Sequence, residues 1–201
     1  MKFTKIISSL FALGTLLMLL TACYNFKKTQ LVLFESLSFN MPLKSFEEVF
    51  GEASEVVEET ETGYRDSWHA EDPYFYKTGR LFYDYENIAL NSYIGRARFT
   101  FSKSHRLEKA TVHIPVTSKV EQQVVLNNLS QTIKKEIKAL PNFQSVTTET
   151  VGLYDDGYRY KVKLKGQRRE FWIDVYPTED EDAKEIEDKK YTIRVDQFRM
   201  Y

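Results

Sequence analysis

Apolar and polar side chains alternate with a two-residue period through most of this chain, and that pattern limits the fold more than any other feature. Leu81, Tyr83 and Tyr85 alternate with Phe82, Asp84 and Glu86; Ala97, Phe99 and Phe101 with Arg96, Arg98 and Thr100; Ala110, Val112 and Ile114 with Lys109, Thr111 and His113. Successive side chains of a strand point to opposite faces, so the pattern calls for antiparallel sheet with one apolar face and one wet face. Tyr160 and Val162, Phe171 and Ile173, and Tyr191, Ile193 and Val195 repeat it later, and Glu55 to Thr62 reads as a further strand. An aromatic content of 14%, with 8 glycines and 5 prolines, suits ordered β structure rather than a disordered stalk.

Two helices interrupt the strands. Asn40-Met41-Pro42 reads as a helix start with Asn40 as its cap; Leu43, Phe46 and Phe50 follow at helical spacing, and Gly51 supplies the stop. Leu31 to Phe39 reads as an extended segment leading in. Ser118 and Glu121 form a capping box before a stripe of Leu126, Leu129, Ile133, Ile137 and Leu140, which Pro141 ends. Between strands, Gly63 to Gly79 reads as a long aromatic and acidic loop. Asp156-Gly157 reads as a two-residue hairpin turn that sets Val151 opposite Val162 and Leu153 opposite Tyr160. A second turn at Gly166-Gln167 sets Val162 opposite Phe171, Lys161 opposite Trp172, Tyr160 opposite Ile173 and Arg159 opposite Asp174. The expected fold class is α+β, with two tandem units, residues 31–116 and 117–201, each a helix followed by a four-stranded antiparallel sheet.

The N-terminus has the form of an export signal. Lys2 and Lys5 precede an apolar run from Ile6 to Leu20 that is too short for a comfortable membrane span. Leu20-Thr21-Ala22-Cys23 resembles the lipobox of bacterial lipoproteins, and Cys23 is the one cysteine in the chain. The resemblance implies cleavage after Ala22, removing residues 1–22, and acylation of the Cys23 sulfur, with residues 23–30 as a short linker. It also implies a partner in the lipid bilayer and a location in the cell envelope: the outer membrane facing the periplasm where the host has one, otherwise the outer face of the cell membrane. Met41, Phe46, Phe50, Gly51 and Ala53 resemble the helix signature of the SmpA/OmlA lipoproteins and the wider β-lactamase-inhibitor-protein-like fold, which implies a small scaffold or protein-binding domain without catalysis.

A net charge of −1 gives no basic excess of the kind nucleic-acid binding needs. His69, His105 and His113 stand apart with no ligand spacing, and there is no nucleophile elbow, phosphate loop or dinucleotide fingerprint. The expectation is therefore a non-enzyme without cofactor or metal that binds another envelope protein. It would serve as an assembly accessory, as an inhibitor or immunity factor against a toxin or hydrolase, or, alternatively, as a carrier of a small apolar ligand. The candidate binding residues are Trp172, Tyr154, Lys161 and Tyr176 on the outer face of the second sheet, and Trp68 and Tyr74 in the aromatic loop, because Trp and Tyr flanked by basic side chains are typical of binding hot spots. The acidic run from Glu179 to Asp188 reads as a solvated connection.

Overall fold

The computed structural model describes residues 30–64, 73–90, 92–151, 156–179 and 191–199. In chain order the elements are α1 (Leu43–Phe50), β1 (Glu55–Tyr64), β2 (Pro73–Leu90), β3 (Tyr93–Phe101), β4 (Leu107–Val116), α2 (Lys119–Ala139), β5 (Phe143–Val151), β6 (Gly157–Leu164), β7 (Phe171–Glu179) and β8 (Tyr191–Arg199). All eight strands join one antiparallel sheet in the order β1-β2-β3-β4-β8-β7-β6-β5. This overturns the expectation of two helix-plus-four-strand units. What forms among the described residues is a single eight-stranded sheet with two helices on it, continuous across β4 and β8 from the Lys109–Phe198 pair to the Val116–Tyr191 pair. Apart, β4 and β8 would each expose a row of unpaired backbone groups; together they satisfy those groups and set Val112 beside Val195 and Ile114 beside Ile193.

The fused sheet has one apolar face. Tyr83, Phe99, Ala110, Gln197, Ile173 and Tyr160 lie in one cross-strand row, and Tyr85, Ala97, Val112, Val195 and Val175 in the next. Helix α2 covers the β5–β8 half. Its stripe of Leu126, Leu129, Ile133 and Ile137 is buried, and Ser130 and the Tyr160 hydroxyl share a 2.5 Å hydrogen bond inside the interface. Ser118 caps its start, its Oγ accepting from Glu121 N at 3.1 Å, while the Glu121 carboxylate reaches back to accept from Thr117 N, one residue before the cap, at 2.7 Å. In the same first turn, Gln122 ties the helix to the sheet by donating from Nε2 to the carbonyls of Thr178 and Thr192.

Helix α1 covers the other half through one aromatic cluster. The Phe46 ring lies within 4.9 to 6.3 Å of the rings of Phe50, Tyr83, Tyr85, Phe99 and Phe101. Asn40 is not the cap of this helix. It takes a left-handed φ of 64°, which Asn tolerates, and hands the start to Pro42, which makes no side-chain cap bond. Gly51 ends the helix as expected, with φ of 88° and its N–H on Glu47 O at 3.0 Å.

The segment from Leu31 to Phe39 is a folded loop rather than an extended lead-in. Gln30 bridges to Ser38, Leu31 N donates to Leu37 O, and Leu31, Val32, Phe34, Leu37 and Phe39 are all buried. Six apolar side chains in nine residues, with Leu33 partly buried against the same core, are better packed together than strung along a surface. The loop packs against α1 and the sheet: Phe34 meets Phe50 and Phe99, Phe39 meets Phe171, and Val32 N donates to Gln197 Oε1.

Two further corrections concern strand ends. Pro73–Gly79, expected as loop, belongs to β2, and the β1–β2 ribbon runs on to the Tyr64–Pro73 pair beyond the last β2–β3 pair, Leu81 with Phe101. Asp156-Gly157 is not the β5–β6 turn. Gly157 is already in β6 opposite Val151, so Val162 faces Val146 and Tyr160 faces Thr148. The shift is odd, which exchanges the faces of β5: Val146, not Val151, turns toward the core. Glycine is needed at 157 for close approach, since a Cβ there would stand 2.4 Å from Tyr176 Cβ and 2.8 Å from Val175 O. Leu153 lies outside the described residues.

Candidate functional site

The outer face carries no described helix, and its polar side chains are organised by the same registers that sort the core. The β6–β7 pairing is the one expected from the Gly166 turn: Lys161 faces Trp172 and Arg159 faces Asp174. Across β8 and β4 the rows continue, Trp172 to Phe198 to Lys109, and Asp174 to Asp196 to Thr111. Two acids therefore stand side by side on adjacent central strands, each buried to about the same extent as the core beneath, with Asp174 at 6% and Asp196 at 5% exposure.

Each acid is neutralised by its neighbours. Arg159 grips Asp174 through two parallel bonds of 2.8 and 2.6 Å, and that pairing raises the already high pKa of the guanidinium. Asp196 accepts from Thr111 Oγ1 at 2.6 Å, Arg194 Nε at 3.0 Å and Tyr176 OH at 3.1 Å, with Lys109 Nζ at 3.0 Å. Burial pushes the Asp196 carboxyl up, but Lys109, Thr111 and Arg194 together outweigh it and hold the carboxyl below its ordinary range. Burial, reinforced by the charge of Asp196, pushes the Tyr176 hydroxyl up to about 12, so it is a donor at any physiological pH.

Trp172 lies in the middle of this array as a half-buried plate. The Arg159 guanidinium carbon is 4.5 Å and the Lys161 ammonium 5.0 Å from its ring, and Phe198 meets it edge-on at 5.9 Å. Lys161 is also held by Glu149 at 2.6 Å. The indole N–H is buried with no hydrogen-bond partner. The sequence placed Trp172, Lys161 and Tyr176 on this face, and the structure brings them together around the two acids. Asp174 stands opposite Arg159, as the Gly166 turn predicts; Asp196, Lys109 and Phe198 complete the cluster and are missed by the sequence, because the pairings of β8 with β7 and β4 that bring them in have no local sequence signal.

Tyr154 and Trp68 lie outside the described residues, as do Ala22, Cys23, His69 and residues 180–188 of the acidic run; Tyr74 pairs with Gly63 in β2, and its side chain is likewise outside. His105 takes a left-handed φ of 53° in the β3–β4 turn, and His113 stands on β4 opposite Arg96 and Arg194. Among the described residues no three His, Cys, Asp or Glu side chains are placed to hold a metal ion, and no helix is long and apolar enough to cross a membrane. A groove of about 330 Å³ opens between the start of α1 and the β3–β4 turn, lined by Pro42, Lys44, Glu47, His105 and Arg106. No family model, curated protein or solved structure matches the chain.

Proposed function

We propose that this chain is a lipid-anchored protein of the cell envelope that works without catalysis, by presenting the outer face of its sheet to a protein partner. The carrying observation is Trp172: a large aromatic plate on the face that carries no described helix, framed by Arg159, Lys161 and Phe198, with its N–H unpartnered among the described residues. Aromatic and Arg side chains on a polar face are what protein interfaces concentrate at their centres. The other face offers a ligand little room, since Phe46, Phe99, Phe101 and Tyr160 are fully buried there under the helices. The anchor reading is supported by the placement of Cys23 directly after Leu20-Thr21-Ala22.

The test is crosslinking in the native membrane followed by comparison of Trp172→Ala with the parent protein. The variant should remain folded and lose a crosslinked partner that the parent retains. Recovery of every partner at parental yield would refute the role of this face. Separately, Cys23→Ala should abolish metabolic palmitate labelling, and unchanged labelling would refute the anchor.

A further inference from the structure

Five cations around Trp172 and across the central strands of the outer face are spoken for: Arg98, Lys109, Arg159, Lys161 and Arg194 all make ion pairs. At one corner of the molecule the opposite holds. Lys138 lies in the last turn of α2, Lys163 at the end of β6, Lys165, Arg168 and Arg169 in the β6–β7 turn, and Arg199 at the end of β8. These elements end side by side. Lys165 N donates to Asn142 O just before β5, and Arg199 pairs with Phe171 just after the turn. All but Arg199 are exposed, and among the described residues none of the six has an ion-pair partner. Glu170 is the one acid in the turn.

The chain also enters the domain here. Gln30 is bridged to Ser38, and the neighbouring Phe39 packs its ring 5.9 Å from that of Phe171, the first residue after the basic turn. Cys23 precedes Gln30 by a stretch that spans at most roughly 25 Å when fully extended. An anchor at Cys23 therefore confines this corner to the immediate vicinity of the bilayer. The β1–β2 ribbon projects from the same end of the sheet, but β2 lies four strands from β7.

We propose that this corner docks on the phosphate headgroups of anionic lipids in the membrane that holds Cys23, fixing the domain with its β6–β7 turn against the bilayer and its outer face turned sideways for a partner. The proposal rests on the lipid-anchored reading above. Several unpaired cations within a Debye length of a negative surface act together, and the tether supplies the effective concentration that individually weak contacts need.

The test is amide hydrogen exchange on the acylated protein reconstituted in vesicles of pure phosphatidylcholine or of phosphatidylcholine with about 30% phosphatidylglycerol. Exchange at residues 163–170 should slow on the anionic vesicles only. The slowing should vanish in about 0.5 M salt, where screening is nearly complete at contact distances. It should also be lost in the variant Lys163→Glu/Lys165→Glu/Arg168→Glu/Arg169→Glu, while exchange in α2 stays unchanged as a check on folding. Equal exchange on both vesicles would overturn the proposal, as would slowing on neutral vesicles that follows a co-purifying acidic protein. The intact mass reports acylation independently. An acylated protein without slowing refutes the docking corner alone, and an unacylated protein refutes the anchor and the proposal with it.

Discussion

Truncating Trp172 to Ala removes contacts whose worth follows from the structure. The ring has Arg159 at 4.5 Å and Lys161 at 5.0 Å, and each cation–π contact at a partly exposed site contributes about 0.5 to 1 kcal/mol. The edge-on contact with Phe198 adds about 0.5 to 1.5 kcal/mol. Against this, the buried and unpartnered indole N–H carries a desolvation cost of about 1 kcal/mol or more that disappears with the ring. Arg159 stays in place, because Asp174 holds it bidentately. The net loss should be about 1 to 2 kcal/mol, a fall of roughly 2 to 8 °C in Tm for a domain of this size. Urea denaturation with an unchanged m-value is the assay. Trp172→Phe keeps an aromatic face for both cations and drops the N–H, so it should cost less than half as much as Ala. If Ala is neutral within about 0.3 kcal/mol, below the usual range for such contacts, the cation–aromatic sandwich contributes nothing. If Phe costs as much as Ala, the cations are not the source of the stability. Partner retention is then best read against Trp172→Phe, whose fold is least disturbed.

Acidification should destabilise the protein as Asp196 protonates. Its folded pKa lies below the unfolded value of about 3.9, so its contribution is complete above that value and is lost as pH falls through the folded pKa; denaturation curves from about pH 6 to about pH 2 should show an acid limb that Asp196→Asn flattens, and an unaltered limb would contradict the network. Asp196→Ala, which leaves Lys109 and Arg194 facing an empty position, should cost about 3 to 5 kcal/mol at neutral pH. Gly157→Ala forces a Cβ to within 2.4 Å of Tyr176 Cβ and should cost about 1 to 3 kcal/mol or more; a stabilised variant would mean that β6 and β7 are farther apart than described.

The amino-acid sequence by itself determined whatever depends on neighbours along the chain. Alternation assigned the inward faces of β3, β4, β6 and β7 correctly, the Gly166 turn fixed the β6–β7 register to the residue, and Ser118 with Glu121 marked the start of α2. Trp172 was therefore already known to share a face with Lys161 and Arg159. Tertiary structure decided what depends on distant segments. Asp156-Gly157 carries a strong turn signal, yet Gly157 serves a different need, the close pass of Tyr176 from another strand. Leu31 to Phe39 has no periodicity, because its side chains answer to a helix and a sheet rather than to one repeating backbone. Most consequential is the union of β4 with β8, on which the single sheet and the Asp196 cluster depend. Nothing local in either strand specifies the other; each was an edge with unpaired hydrogen-bonding groups and an apolar face to continue, and that shared need is met only when the two halves of the chain fold together.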